Sequence, residues 1–436
     1  MSKISIGTIR TGKLKTYLIN LLIGVFLSII PAIQAYKNPH FYRATHFFGP
    51  PRLDRDTLSS IELIIGNGST HKSRNSLGEK VPLFDLYGKH NMQLLGVGVP
   101  GTNNSDPLDL ILTNLANVGP RENFATYSIS GHFSVTEGTI IINQNIYCGV
   151  YLQAYLPISR LKTSHISFTD CSPTDTICPN INTQEWQLFK ANLDAILTKH
   201  TLNRTAINTT DVGDLGLSIG VTQSITSTTE LDFIDIAAQV GVILPTSDKK
   251  DENKIFSIPM GYNGHIGIPC SLEVAIGAYE WMTIGGFFEG IAFTRKKHDM
   301  RIKTASGQSG MIKLAKVEAT VDKGTTFSGG AYFIGDHLCR NLSFKVAYTY
   351  TQQTGDTVIP QCNLNCVNTT IICEDEQFQG FKMHVIHFGV DYEQSDTKYH
   401  RGGTAGIFYD WNVAGSRIFQ TSMFGGELGI NLVWDF

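Results

Sequence analysis

What the chain lacks narrows it first. After residue 35 no apolar run approaches the ~20 residues that a helix needs to cross a bilayer, so helical spans are excluded there. Charge is sparse, at 17% Asp, Glu, Lys and Arg with a formal net of −3. Without a basic excess there is no electrostatic footprint for nucleic acid. No Gly-x-Ser-x-Gly elbow is present to hold a nucleophilic serine in view. Gly96-Val97-Gly98-Val99-Pro100-Gly101 has dinucleotide-binding glycine spacing, but a proline in the loop and the absence of a βαβ unit argue against that use. His384 and His387 are three residues apart, which on a strand sends them to opposite faces and away from a shared metal. A Ser-His-Asp or Ser-His-Asn relay leaves no local motif, because its members come from separate strands. The reading is no enzyme, with no catalytic residue, cofactor or metal assigned.

What is present begins with an export signal. Lys3, Arg10, Lys13 and Lys15 precede an apolar run of thirteen residues from Leu18 to Ile30, Pro31 breaks it, and Ala35 offers a small residue for cleavage. This is the layout of a signal peptide over residues 1–35, too short to remain as a span. Its removal takes four of the 35 basic residues and none of the 38 acidic ones, moving the formal charge from −3 to −7. An exported chain without helical spans can enter a membrane only as a closed barrel, because every backbone N–H and C=O must be paired away from water. The 42 glycines, 10% aromatics and mean hydropathy of −0.04 agree. Strands with lipid on one face and a wet lumen on the other average to near zero.

Period-two alternation recurs along the chain. Leu428, Ile430, Leu432, Trp434 and Phe436 share one face, against Glu427, Gly429, Asn431, Val433 and Asp435. Tyr127, Ile129, Phe133 and Val135 oppose Ser128, Ser130, His132 and Ser134, while Ile140, Ile142, Ile146 and Leu152 oppose Asn143, Asn145, Tyr151 and Tyr155. The expected fold is all-β: a transmembrane antiparallel up-and-down β-barrel of about fourteen strands. These run near 60–68, 91–99, 124–135, 139–156, 160–170, 212–224, 229–246, 264–279, 281–297, 326–336, 341–354, 380–393, 404–412 and 424–436. Residues 36–123 alternate poorly, so they are either the first strands or a plug, and the plug option leaves twelve strands in a barrel over 124–436. Long links at 171–211, 247–263, 298–325 and 355–379 then fall outside. Short turns at Pro157-Ile158-Ser159-Arg160, 224–228, Tyr279-Glu280 and 335–341 fall on the periplasmic side, the usual asymmetry.

Helical spacing appears twice. Trp186, Phe189, Leu193, Ile196 and Leu197 predict a helix over 184–202 in the first long outside loop, capped by Thr183 and packed on the loop or in the barrel mouth. A shorter run, Leu108 to Val118 after Asp106-Pro107, would cover the periplasmic end. Among eight cysteines, Cys171 and Cys178 share one outside loop and Cys362, Cys366 and Cys373 another. In an oxidising compartment these read as candidate disulfides, Cys171–Cys178 first.

The lumen has a chemical bias. Asp214, Asp235, Glu273, Glu289, Asp391, Asp410 and Glu427 fall on inward phases, with Lys345 as the clear inward cation. Such carboxylates favour cations and polar solutes over anions, unless outside-loop lysines such as Lys249, Lys250, Lys296 and Lys297, or a buried arginine, neutralise them.

From about residue 124 the chain resembles Gram-negative outer-membrane barrels. Its aromatic C-terminal alternation through Leu432, Trp434 and Phe436 resembles their assembly signal, read by the barrel-insertion machinery. Its strand count and loop plan are similar to the fatty-acid and aromatic-hydrocarbon channel group of fourteen-stranded barrels. That group carries an N-terminal plug with a short Asn-Pro-Ala motif; Asn38-Pro39-His40 departs from it, and no binding residue carries over. The function expected is an outer-membrane channel or transporter for passive passage of small solutes through a polar, acidic lumen. The alternative is a structural or surface-interaction barrel with a blocked lumen and disulfide-braced loops. Lipid, the insertion machinery and small solutes are the implied partners, nucleic acid is not, and the oligomeric state stays open.

Overall fold

The computed structural model describes residues 39–46, 58–118, 124–147, 149–172, 184–226, 231–339, 341–361, 369–396 and 401–433. Twelve antiparallel strands close on themselves. In chain order they are β1 (Leu58–Thr70), β2 (Thr126–Tyr147), β3 (Val150–Asp170), β4 (Leu215–Thr226), β5 (Phe233–Leu244) and β6 (Gly267–Ala278), followed by β7 (Met282–Phe293), β8 (Thr326–Cys339), β9 (Leu342–Gln353), β10 (Lys382–Asp396), β11 (Arg401–Ser416) and β12 (Ser422–Val433). Each pairs with its chain neighbours, and β1 closes the ring against β12, with Ile61 opposite Ile430 and Leu63 opposite Leu428. Closure leaves no unpaired strand edge in the wall.

Alternation decides which face meets lipid. Ile61, Leu63, Ile65, Ile219, Ile284, Phe288, Ile407, Phe424, Leu428 and Ile430 are all exposed on the outer surface, the last four by 57–60%. A belt of large apolar side chains around a closed barrel is a lipid-facing surface. Between β6 and β7, Tyr279 and Glu280 take φ of 59° and 62°, the left-handed pair that a tight hairpin turn requires.

The strand plan departs from expectation in two places. Residues 124–170 make two strands and not three: β2 has 22 residues and β3 has 21. The hairpin turns between Tyr147 and Val150, and the expected turn at 157–160 lies inside β3. Pro157 has no N–H to give a ladder. It marks the boundary where β3 changes partner from β4 to the short strand Asn208–Val212. The expected strand at 91–99 is also absent, since residues 92–98 form turns. Twelve strands, the lower of the two expected counts, therefore close the barrel, and it begins at Leu58 and not near residue 124.

At ~3.3 Å per residue β2 is ~73 Å long, where 9–11 residues cross a bilayer. Its outer half stands clear of lipid, and there the phase meaning reverses. Ile129, Phe133 and Val135 are fully buried facing inward, while Ser130, His132 and Ser134 face out. Inward apolar side chains in water need a core, and the outer loops supply it. Helices α1 (Pro107–Ala116) and α2 (Gln184–Lys199) pack together, and one cluster joins Phe84, Leu115, Ile129, Phe133, Trp186, Phe256 and Leu314. A few such side chains, at ~1.5–3 kcal/mol each, outweigh any exposed ion pair at ~0–1 kcal/mol, so this core holds the cap over the barrel mouth. Helix α1 belongs to this cap and not to the periplasmic end, because β1 finishes outside and the described residues between β1 and β2 pack on that side.

Candidate functional site

The interior of the barrel is occupied by its own N-terminal segment. Residues 39–46 carry two cationic side chains to neighbouring strands of the wall. Arg43 Nε lies 2.9 Å from Glu137 Oε2 on β2, and the Ser159 hydroxyl of β3 donates to the same oxygen at 2.8 Å. Across β1 on the same side of the barrel, the His46 ring sits between two carboxylates, with Nδ1 3.2 Å from Asp410 Oδ2 on β11 and Nε2 3.3 Å from Glu427 Oε2 on β12. Its centroid lies 4.0 Å from that of the Phe408 ring, the two rings tilted by 43°. Burial pushes this imidazole down, but Asp410 and Glu427 reverse that and hold it up at about 9. At neutral pH it is a cation closing on two anions.

The ion pairs continue along the wall as a connected chain. Lys345 Nζ of β9 is 2.5 Å from Asp391 Oδ2 on β10 and 3.1 Å from Glu427 Oε1. His387 Nδ1 donates to Asp410 Oδ1 at 2.8 Å, and its Nε2 meets the Thr349 hydroxyl. Hydroxyl, imidazole and carboxylate in that order repeat the plan of a hydrolase relay. Here, however, the carboxylate also serves His46, and Thr349, His387 and Asp410 are each at most 6% exposed. The arrangement works as the anchor of the segment.

Above His46 the segment joins the cap. Tyr42 is fully buried, donates to the Met260 carbonyl at 3.4 Å and meets Phe133 edge-on; Phe41 meets Phe419 in the same way. Between the segment and the wall lies a cavity of about 20 Å³, lined by Arg43, His46, Glu137 and Tyr155 among others. The end of the barrel with the short hairpin turns differs: a cavity of about 540 Å³ opens there among Asp232, Phe233, Glu280, Met282, Thr283 and Asp336. Ala275, Phe287, Tyr332, Ile334 and Ala347, with Phe233 against them, form an apolar stretch of the inner wall.

The sequence-predicted lumen residues divide by this geometry. Asp391, Glu427 and Lys345 come together in one cluster with Asp410. Asp235, Glu273 and Glu289 face inward on adjacent strands β5, β6 and β7, but at successive heights: Asp235 opposes Ala275, Glu273 opposes Phe287, and Glu289 opposes Ser271. Asp214 leaves them altogether. It is 1% exposed at the outer end of β4, accepting from the N–H and hydroxyl of Ser247 and from Tyr262 N–H. Ladder register puts it ~33 Å from Asp235, which pairs with Ser224. Asp235, Glu273 and Glu289 thus form a stepped stripe of three, while Asp214 ties down the cap.

Arg43 and His46 escaped the sequence reading because their segment has no periodicity. The available signal was arithmetic: inward carboxylates outnumber inward strand cations, and a buried charge needs a partner. A buried arginine is the partner for Glu137, whereas Lys250 pairs with Glu252 and Lys296 donates to the Gly264 carbonyl within the cap. Cys171 and Cys373 are free thiols among the described residues, so the expected Cys171–Cys178 disulfide is not formed and Cys373 takes no part in one. Cys178, Cys362 and Cys366 lie outside the described residues, as do Trp434 and Phe436, while Leu432 is described only by its pairing with Ser59. Among the described residues no group of three His, Cys, Asp or Glu side chains is arranged to hold a metal.

No protein-family model matches the chain, and no curated protein is similar to it in sequence. Solved structures are similar in outline. The COG4313 outer membrane channel from Pseudomonas putida F1 aligns at 9% identity over 89% of this chain and 100% of its own, with a TM-score of 0.46. The translocator domain of the autotransporter NalP from Neisseria meningitidis aligns at 11% identity over 88% and 90%, with a TM-score of 0.35. The Pseudomonas putida toluene transporter TodX aligns at 10% identity over 92% and 96%, with a TM-score of 0.30. Superposition this partial carries no residue across.

Proposed function

We propose that this chain is an outer-membrane channel or transporter for small solutes, closed in this conformation by its own N-terminal segment. The observation that carries the reading is how that segment is held. Arg43 and His46 grip carboxylates on neighbouring strands of one side of the barrel, Glu137 on β2 and Asp410 and Glu427 on β11 and β12. A barrel needing only a solid interior would be at least as stable with apolar side chains there, because desolvating paired charges offsets most of their attraction. Ion pairs instead allow the segment to leave as a unit, since the groups it uncovers are those water solvates well. Passage then follows the β5–β7 wall, where Asp235, Glu273 and Glu289 favour cations and polar solutes, to the wide periplasmic cavity. Export by residues 1–35 and recognition of Leu432, Trp434 and Phe436 by the insertion machinery complete the reading.

A second reading, a surface barrel whose loops are the working part, is favoured by the continuous apolar core of the cap. Planar-bilayer recordings separate the two. The full chain should show low, intermittent conductance, and a variant lacking residues 39–46 should conduct steadily. Silence from both proteins, each correctly folded by heat-modifiable gel mobility, overturns the channel reading in favour of the second.

A further inference from the structure

The outer surface of β1, β2 and β3 changes chemistry along one register line. Below it the outward residues are aliphatic: Ile61, Leu63 and Ile65 on β1, Ile142 and Ile146 on β2, Leu152 and Ile158 on β3. Ile65, Gly138 and Ile158 are paired across the three strands, so they form the last apolar row. One row higher stand Asn67, Thr136 and Arg160, and one row above that Ser69, Ser134 and Lys162. A third row carries His132, its ring stacked on His71 at 4.4 Å. This line is where the lipid tails end and the headgroups begin.

Above the line the outward face bears only cations and neutral polar groups. No carboxylate points out between Asn67 and His71, Ser128 and Thr136, or Arg160 and Ser164; Glu62 and Glu137 on the same strands face the lumen. Among the described residues neither Arg160 nor Lys162 forms an ion pair. Arg160 Nε donates to Asn208 Oδ1 at 3.1 Å, which orients the guanidinium, and Asn67 Nδ2 donates to the Thr136 hydroxyl at 2.7 Å beside it. Both cations are exposed, two residues apart on one face of a strand, hence ~6.7 Å apart along it. The chain as a whole is net acidic, so the patch is not a by-product of composition.

We infer that this patch binds the phosphate of an anionic outer-leaflet lipid, Arg160 and Lys162 sharing the phosphate oxygens while the acyl chains lie on the aliphatic ladder beneath. The fork of an arginine suits a phosphate, and the lysine adds a second point charge. Continuity with the lipid belt selects a lipid over a free anion: a headgroup anchored by its tails is delivered to these side chains at the right height. The inference does not depend on solute passage.

The test reconstitutes the full-length chain in phosphatidylcholine bilayers carrying a trace of spin-labelled phosphatidic acid or spin-labelled phosphatidylcholine. The motionally restricted fraction of each label gives the relative affinity. Phosphatidic acid should be preferred by about fivefold for each cation. Arg160→Gln with Lys162→Gln should abolish most of that preference, the charge-keeping pair Arg160→Lys with Lys162→Arg should retain it, and Lys382→Ala, which removes an exposed cation on β10, should leave it unchanged. Millimolar inorganic phosphate should not compete. The inference falls if the wild-type protein shows no preference, if the double glutamine variant keeps it, or if inorganic phosphate removes it. A protein that selects phosphatidic acid yet never conducts upholds this site and overturns the channel reading alone.

Discussion

Arg43 and Glu137 form an ion pair in the barrel interior, N to O 2.9 Å, with the two side chains 3% and 9% exposed. One belongs to a segment without secondary structure, the other to the wall. Whatever moves the segment must break this pair or carry its cost, which makes it the first place to perturb.

Arg43→Met should strand the Glu137 carboxylate without its cation. Removing one partner of a buried pair costs ~3–5 kcal/mol, well above the ~1 kcal/mol of a surface pair. The expected result is a large rise in open probability in planar bilayers. Adding Glu137→Gln should recover part of the closed state, because an amide tolerates burial without a cation better than a carboxylate does. Unchanged gating in the single variant would show that the pair does not hold the segment.

The His46 anchor should respond to alkali. Its pKa is raised to about 9 by Asp410 and Glu427 after burial has pulled it down, and a group raised in the folded state stabilises most in its protonated form. That contribution is complete below the ordinary histidine value near 6.5 and disappears as pH climbs through about 9. Open probability should therefore rise between pH 7 and pH 9.5 in the wild-type protein and stay flat in His46→Gln. A wild-type profile that is level or falls over this range contradicts the assignment.

Selectivity should reside on the other wall. In the variant lacking residues 39–46, Glu273→Gln with Glu289→Gln should move the reversal potential under a salt gradient toward zero. Salt should mute the wild-type preference, since the Debye length is about 10 Å at 0.1 M. If the double variant keeps the parent's reversal potential, solutes are filtered elsewhere.

The cap offers a separable test. Trp186 is fully buried, lies 5.4 Å from Phe189 in a stacked pair and donates from Nε1 to Asp170 Oδ2 at 2.9 Å. Trp186→Ala should cost ~3–5 kcal/mol of cap stability. Proteinase K added to intact cells should then cut between β3 and β4, while the barrel keeps its heat-modifiable mobility. An unchanged digestion pattern would mean that the cap does not depend on this side chain.

Much of the fold was legible because lipid imposes a local rule. Wherever a strand crosses the bilayer, alternate residues must be apolar whatever their neighbours, so Ile142, Ile146, Leu152, Leu428 and Ile430 declared their face in the sequence. The rule has no force outside lipid. On the outer half of β2 the same alternation means the opposite, and Ile129, Phe133 and Val135 turn inward because water lies outside and a core of loops lies within. Pro157 misled for a related reason: a missing N–H marks either a turn or a change of partner, and only the positions of β4 and Asn208–Val212 choose between them.

The sequence by itself determined a closed membrane barrel and the lipid-facing phase of its strands, because lipid contact and backbone pairing are constraints on each strand alone. Tertiary structure decided what fills the barrel. Arg43 meets Glu137 across 94 positions of sequence and His46 meets Glu427 across 381. Such pairings leave no periodic trace, since an ion pair is fixed by where two chains cross and not by the spacing within either.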